Sequence, residues 1–106
     1  MRSVQEEREA SDPVRVASKV VGMLIENDRV RVLGSTLRPG EKAAMHSHPD
    51  HVVYVVRGGK IKLTYPSGKE ETMEMEQGKA LLMEAQSHEV TNVGDTDVEL
   101  VVVELK

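Results

Sequence analysis

The sequence predicts an all-β domain, an antiparallel sandwich or small barrel, on three observations. Short apolar runs are separated by turn signals at intervals of about eight to twelve residues. The apolar residues are mostly aliphatic: there is no Phe, no Trp and only two Tyr, while six Met are present. Val is stiff at χ1 and fits a pleated surface, and Met fills irregular gaps between strands. Finally, no stretch shows a sustained 3.6-residue apolar period, which excludes a substantial helix.

Residues 1–13 are polar and end at Pro13, so they read as a loose arm, with 14–106 forming a single barrel. "KVVGMLIEN" (19–27) and "RVRVLGSTLRP" (29–39) read as two strands turning at Asn27-Asp28. In "RPGE", Gly40 follows Pro39 where a type II turn requires positive φ. "HVVYVVR" (51–57) and "KIKLTY" (60–65) flank Gly58-Gly59, which reads as a two-residue hairpin. "PSGK" (66–69) is a turn. "ETMEMEQ" (71–77) alternates, which turns Met73 and Met75 inward and Glu74 and Glu76 outward. Gly78 breaks the chain before "KALLME" (79–84), and "HEVTNV" (88–93) and "VELVVVEL" (98–105) are separated by "GDTD". The last run is apolar on both faces. It is either the central strand of a sandwich or a strand covered by a second subunit. These are seven or eight strands, and the pattern leaves their topology open.

Composition narrows the function. The chain has 106 residues, the size of one domain, with 14 Lys and Arg against 18 Asp and Glu, a net charge of −4. That balance gives no electrostatic footprint for nucleic acid or an anionic membrane. No apolar stretch approaches the ~18 residues a bilayer span needs. The opening "MRSVQEEREASDPVR" has four acids and no apolar centre, unlike a signal peptide. There is no cysteine, which removes disulfides and thiolate chemistry and fits a cytoplasmic protein.

The chain has four histidines, three of them within six residues: His46, His48 and His51. On an extended segment, His46 and His48 point to the same face. Pro49 and Asp50 interrupt the strand, so His51 can turn back toward the same centre. His88 opens a later strand. A His-x-His pair also arises on exposed strands with no ligand. Four imidazoles on two spots form a first-row metal site in its simplest form.

These residues lie in two motifs that resemble those of the cupin superfamily. Gly40-x5-His46-x-His48, followed by His51-x6-Gly58, is similar to its first motif. That motif runs Gly, five residues, His-x-His, a short gap, Glu, six residues, Gly. Gly78-x5-Glu84-x-Gln86-x-His88-x3-Asn92 resembles the second, with Glu84 and Gln86 standing where the family has Pro and Gly. The resemblance covers residues 40–92 and implies a small jelly-roll-like barrel, a double-stranded β-helix, with a metal inside one end. It carries over His46, His48 and His88 as ligands. His51 occupies the position of the family's glutamate, and Asn92 matches an asparagine that serves the backbone first.

Replacing the carboxylate by imidazole leaves a divalent charge uncompensated. Nitrogen-only sites suit Cu, Zn, Ni or Fe, and the excess charge attracts a small polar or anionic substrate. Glu84, Glu89 and Asp50 are candidates for a base or for partners of the ligands. Glu84 is the foremost because it ends an apolar strand beside the motif. Met83 packs or offers a thioether, while Met45 alternates with His46 and points away. Arg38 and Lys42 either bind a substrate carboxylate or are solvated. The expected function is a small metalloenzyme of oxygenase, isomerase, lyase or decarboxylase type. The alternatives are a non-catalytic module holding a metal or small ligand, and a barrel whose site is vestigial. The apolar strand 98–105, together with the family resemblance, leads us to expect a homodimer.

Overall fold

The computed structural model describes residues 11–106. The expected arm therefore lies almost wholly outside the described residues. What is described of it, Ser11 to Pro13, docks on the domain: the Ser11 carbonyl accepts from Ser47 N at 2.8 Å, and Pro13 is buried. Asp12 caps one short helical turn, α1 (Pro13–Val16), accepting from Val14 N at 3.0 Å, with Pro in the first turn where no donor is missed.

Nine strands follow among the described residues: β1 (Val21–Glu26), β2 (Val30–Leu37), β3 (Lys42–His48), β4 (His51–Arg57), β5 (Gly59–Thr64), β6 (Glu70–Met75), β7 (Ala80–Met83), β8 (Gln86–Asn92) and β9 (Val98–Leu105). Every pairing is antiparallel. One sheet has the order β1-β2-β9-β4-β7 and the other β3-β8-β5-β6. The segment that carries the His-x-His pair is a strand in its own right.

Two turns behave as the sequence indicates. Asn27 Oδ1 accepts from Arg29 N and Val30 N and closes the β1–β2 hairpin. Gly40 has φ 86°, and Glu41 N bonds back to the Arg38 carbonyl. Gly58-Gly59, however, is not a hairpin turn. β4 pairs with β7 and β9, and β5 pairs with β6 and β8, so the two glycines carry the chain from one sheet to the other. Neither has a positive φ. They are glycine because of crowding: a Cβ on Gly58 would stand 2.4 Å from the Met75 carbonyl oxygen, and one on Gly59 would stand 2.7 Å from a Val98 methyl.

Leu33, Val53 and Val102 are opposed across β2, β9 and β4, and Leu33 and Val53 each pair Val102. They are buried, and with Ile61, Leu63 and Val90 of the facing sheet they form the aliphatic core. Met73 and Met75 face this interior as expected. β9 is central in its sheet. Its inner face carries Val98, Leu100, Val102 and Glu104, and its outer face carries Glu99, Val101 and Val103. On the outer face, Leu82, Val52, Val103, Val32 and Ile25 are consecutive cross-strand partners, an apolar row across all five strands. Leu82 is 78% and Ile25 65% exposed.

Candidate metal centre

β3 would not aim its histidines inward if it were regular. Ala43 faces the core, and strict alternation from it would turn Met45 and Ser47 inward. The ladder with β8 instead steps from Ala43↔Val90 to His46↔His88, three residues against two. The extra residue is a bulge that resets the alternation. Ala43, His46 and His48 are buried, while Met45 is exposed. The bulge also presents the Ala44 carbonyl to His46 Nδ1 at 2.6 Å.

His88 sits directly opposite His46 on β8. The ligating atoms of His46, His48 and His88 all lie within 4.8 Å of one another. His51 opens β4 on the facing sheet after the Pro49-Asp50 turn. It is buried, and its ring centroid is 4.6 Å from that of His48. All four rings line one interior cavity of about 60 Å³, enough for a few waters or a small ligand. Its remaining wall is aliphatic, with Met73, Met75 and Met83 among it and Ser35 as its hydroxyl.

Each ring is anchored through the same nitrogen. Nδ1 of His46 faces the Ala44 carbonyl, and Nδ1 of His51 faces the Pro49 carbonyl at 2.7 Å. His88 Nδ1 is 2.8 Å from Gln86 Oε1, and His48 Nδ1 is 2.6 Å from Glu104 Oε2. All four partners are acceptors, so each Nδ1 carries the proton and donates. The hydrogen bonds of all four rings run through Nδ1, which leaves the Nε2 atoms without one among the described residues. Imidazoles anchored at Nδ1, three of them with their candidate ligand atoms within 4.8 Å of one another, fit a first-row transition metal.

Charge follows the same logic. Burial, reinforced by the neighbouring imidazoles, pushes His88 down to about 3. Burial likewise takes His46 to about 4, against the Ala44 hydrogen bond, and it lowers His51. These rings are neutral at pH 7, the form that binds metal. Glu104 is itself buried, which raises a carboxyl. The His48 hydrogen bond and the Arg31 guanidinium outweigh that and hold it below its ordinary value.

The other candidates stand elsewhere. Glu84 is exposed and does not line the cavity. Asp50 is spent on the turn, accepting from Ala85 N at 2.8 Å, and Glu89 pairs with Lys42 on the outside at 3.6 Å. Arg38 is exposed, whereas Met83 lines the cavity. Asn92 gives all its polar atoms to backbone, donating to the Leu37 and Thr96 carbonyls and accepting from Gly94 N. The carboxylate that does reach the site is Glu104, which the sequence reading passed over. The signal was present: alternation from Val102 puts position 104 on the inner face.

Residues 35–104 match the family model described as a cupin domain. A cupin domain from Bordetella pertussis Tohama I is 30% identical, with a TM-score of 0.75, covering 82% of this chain and 92% of that one. A double-stranded β-helix domain protein from Klebsiella pneumoniae subsp. pneumoniae is 21% identical with a TM-score of 0.66, covering 99% of this chain and 88% of that one. A predicted oxalate decarboxylase from Thermotoga maritima is 23% identical with a TM-score of 0.57, covering 81% of this chain and 79% of that one. No curated protein matches the sequence. With its two facing sheets and a histidine cluster between them, the chain belongs to the cupin family.

Proposed function

We propose that this cupin is a small metalloenzyme in which His46, His48 and His88 hold a divalent transition metal (Cu, Zn, Ni or Fe), with His51 as a fourth ligand. The observation that carries this reading is the set of four Nδ1-anchored imidazoles lining one cavity. Bound there, such a metal supplies Lewis acidity and a position for a small substrate or dioxygen. Arg31 offsets the Glu104 charge behind His48, and no carboxylate lines the cavity, so the four imidazoles themselves bring the metal no negative charge. The substrate that complements it is small, carries an anionic oxygen donor and presents an aliphatic remainder to the cavity wall. The reaction class is that of an oxygenase, isomerase or lyase.

One observation favours a non-catalytic binding module instead: among the described residues the cavity wall has no carboxylate, Lys or Arg to move a proton. Metal analysis of protein purified without an affinity tag tests the shared premise. Near-stoichiometric metal supports it. Protein that is empty and also fails to bind added Zn²⁺, Ni²⁺, Cu²⁺ or Fe²⁺ refutes it. Oxygen uptake or product formation with small carboxylic acids then separates enzyme from binder.

The apolar row on the outer sheet face supports a homodimer joined through that face. The absence of cysteine supports a cytoplasmic location. Among the described residues, no helix is long and apolar enough to cross a membrane.

A further inference from the structure

Glu104 lies between Arg31 and His51 in the sheet, being the cross-strand partner of both. Its two oxygens are divided. Oε2 takes the His48 Nδ1 proton at 2.6 Å, and Oε1 accepts from Arg31 Nε at 2.9 Å and Nη2 at 2.8 Å. The remaining Arg31 nitrogen, Nη1, reaches Asp12 Oδ2 at 2.8 Å. Asp12 Oδ1 in turn accepts the Val14 amide that opens α1. Every oxygen in the series has a distinct donor. A buried carboxylate would be costly here without its guanidinium. Held by it, Glu104 cannot rotate away from His48.

We propose that Glu104, Arg31 and Asp12 form a positioning relay that fixes His48 in its Nδ1–H tautomer for metal binding and ties metal affinity to the N-terminal turn. The inference rests on the reading of His48 as a metal ligand. Glu104 is a positioning residue: it acts through His48 and does not line the cavity. The other three histidines are held by a backbone carbonyl or an uncharged amide within two residues of themselves. His48 alone is held by a charge from a distant strand, and that charge is connected to the segment before β1. The structural effect would therefore be local at three ligands and long-range at the fourth.

Cobalt titration followed by visible absorbance, with ¹⁵N–¹H imidazole spectra of the metal-free protein, tests the relay. Glu104→Gln preserves the shape and removes the charge. It should weaken Co²⁺ binding about 10- to 100-fold and turn His48 from a single Nδ1–H tautomer into a mixture. Arg31→Lys, which keeps the charge and loses the two-nitrogen grip, should move both readouts the same way. Asp12→Asn retains a good helix cap and should give a smaller loss. Glu99→Gln, on the outer face of β9, should change neither.

A Glu104→Gln protein that binds Co²⁺ within about twofold of the parent, where the relay requires a loss of 10-fold or more, overturns the proposal. So does weakened binding with His48 still wholly Nδ1–H, which marks a charge effect without positioning. An Asp12→Asn protein identical to the parent overturns the outer half of the relay. If the parent binds neither Co²⁺ nor added Zn²⁺, Ni²⁺, Cu²⁺ or Fe²⁺, the proposed function fails, and the His48 signals of the metal-free variants still decide whether the relay holds the ring.

Discussion

His46 and His88 are direct cross-strand partners in the β3–β8 ladder, with ring centroids 4.8 Å apart and planes nearly perpendicular at 88°. Two of the proposed ligands thus come from one rung of one sheet, and the third, His48, stands two residues along the same strand. Because the rung is fixed by backbone hydrogen bonds, the pair needs no folding event beyond the pairing of β3 with β8.

Removing any of these three histidines should cost far more than removing one of their hydrogen-bond partners. His46→Ala, His48→Ala and His88→Ala should each weaken metal binding by more than about 100-fold, beyond the loss typical of an outer partner. Metal content after dialysis reads this out. A His88→Ala protein that retains metal as tightly as its parent would show that β8 contributes no ligand.

Acid should destabilise the metal-free protein well before general acid unfolding. His46 at about 4 and His88 at about 3 are depressed from an ordinary value near 6.5, and His51 is lowered as well. In the unfolded chain these rings take up protons as pH falls through about 6.5, while in the folded chain His46 and His88 resist until pH 4 or below and His51 resists in the same direction. Stability is therefore fully present above about 6.5 and declines between there and about 3, by several kcal/mol in total. Glu104, also lowered, acts in the same direction, because its contribution is lost as pH falls through its folded value. Urea unfolding at pH 7.5, 6 and 4.5 measures the slope, and a flat profile contradicts the buried, neutral assignment.

The crossover glycines should tolerate no side chain. Gly58→Ala places a methyl 2.4 Å from a backbone oxygen, and Gly59→Ala one 2.8 Å from Thr96 Oγ1. Each should cost about 1–3 kcal/mol or more, as overpacking does. Gly22→Ala is the control. Nothing lies within 4 Å of its added Cβ and its φ is not positive, so its effect should be neutral or stabilising by up to about 1 kcal/mol. Thermal melts of the three variants compare them directly.

Charges on the two faces of β9 should separate assembly from folding. Val103→Glu or Val101→Glu, on the outer face, should convert a dimer to a folded monomer in sedimentation at micromolar concentration. Val102→Glu, which faces the core and is 7% exposed, should unfold the chain, because a lone buried charge costs several kcal/mol or more. A parent protein that sediments as a monomer removes the dimer from consideration.

The period-2 pattern made most strands and the inward methionines legible, and the His-x-His spacing marked the site. What stayed hidden was set by contacts between distant segments. Gly58-Gly59 carries the same local signal whether it closes a hairpin or passes beneath a neighbouring carbonyl, and only the Met75 backbone decides which. The bulge after Ala43 is invisible in composition, yet it lets Ala43 and His46 share a face. Glu104 was overlooked for a different reason. An acid near the end of an apolar run reads as a solvated terminus, and its value depends on Arg31, 73 residues away, crossing the sheet to meet it. Glu84 was favoured by nearness in sequence, but its side chain is exposed and does not line the cavity.

The central place of β9 also has a consequence in time. β2 and β4 touch each other only through β9, the last strand of the nine. During synthesis the hairpins β1–β2 and β5–β6 can form as they emerge, but the larger sheet stays in two pieces, with unsatisfied edges, until β9 arrives between them. Closure over such sequence separations is slow, and exposed edges in the interval invite misassembly. Glu104 arrives with that same strand. The partner of His48 is therefore supplied by the step that completes the fold, and a nascent chain that has already paired β3 with β8 holds three histidines facing a half-built barrel, with the Glu104 hydrogen bond to His48 made only at the end.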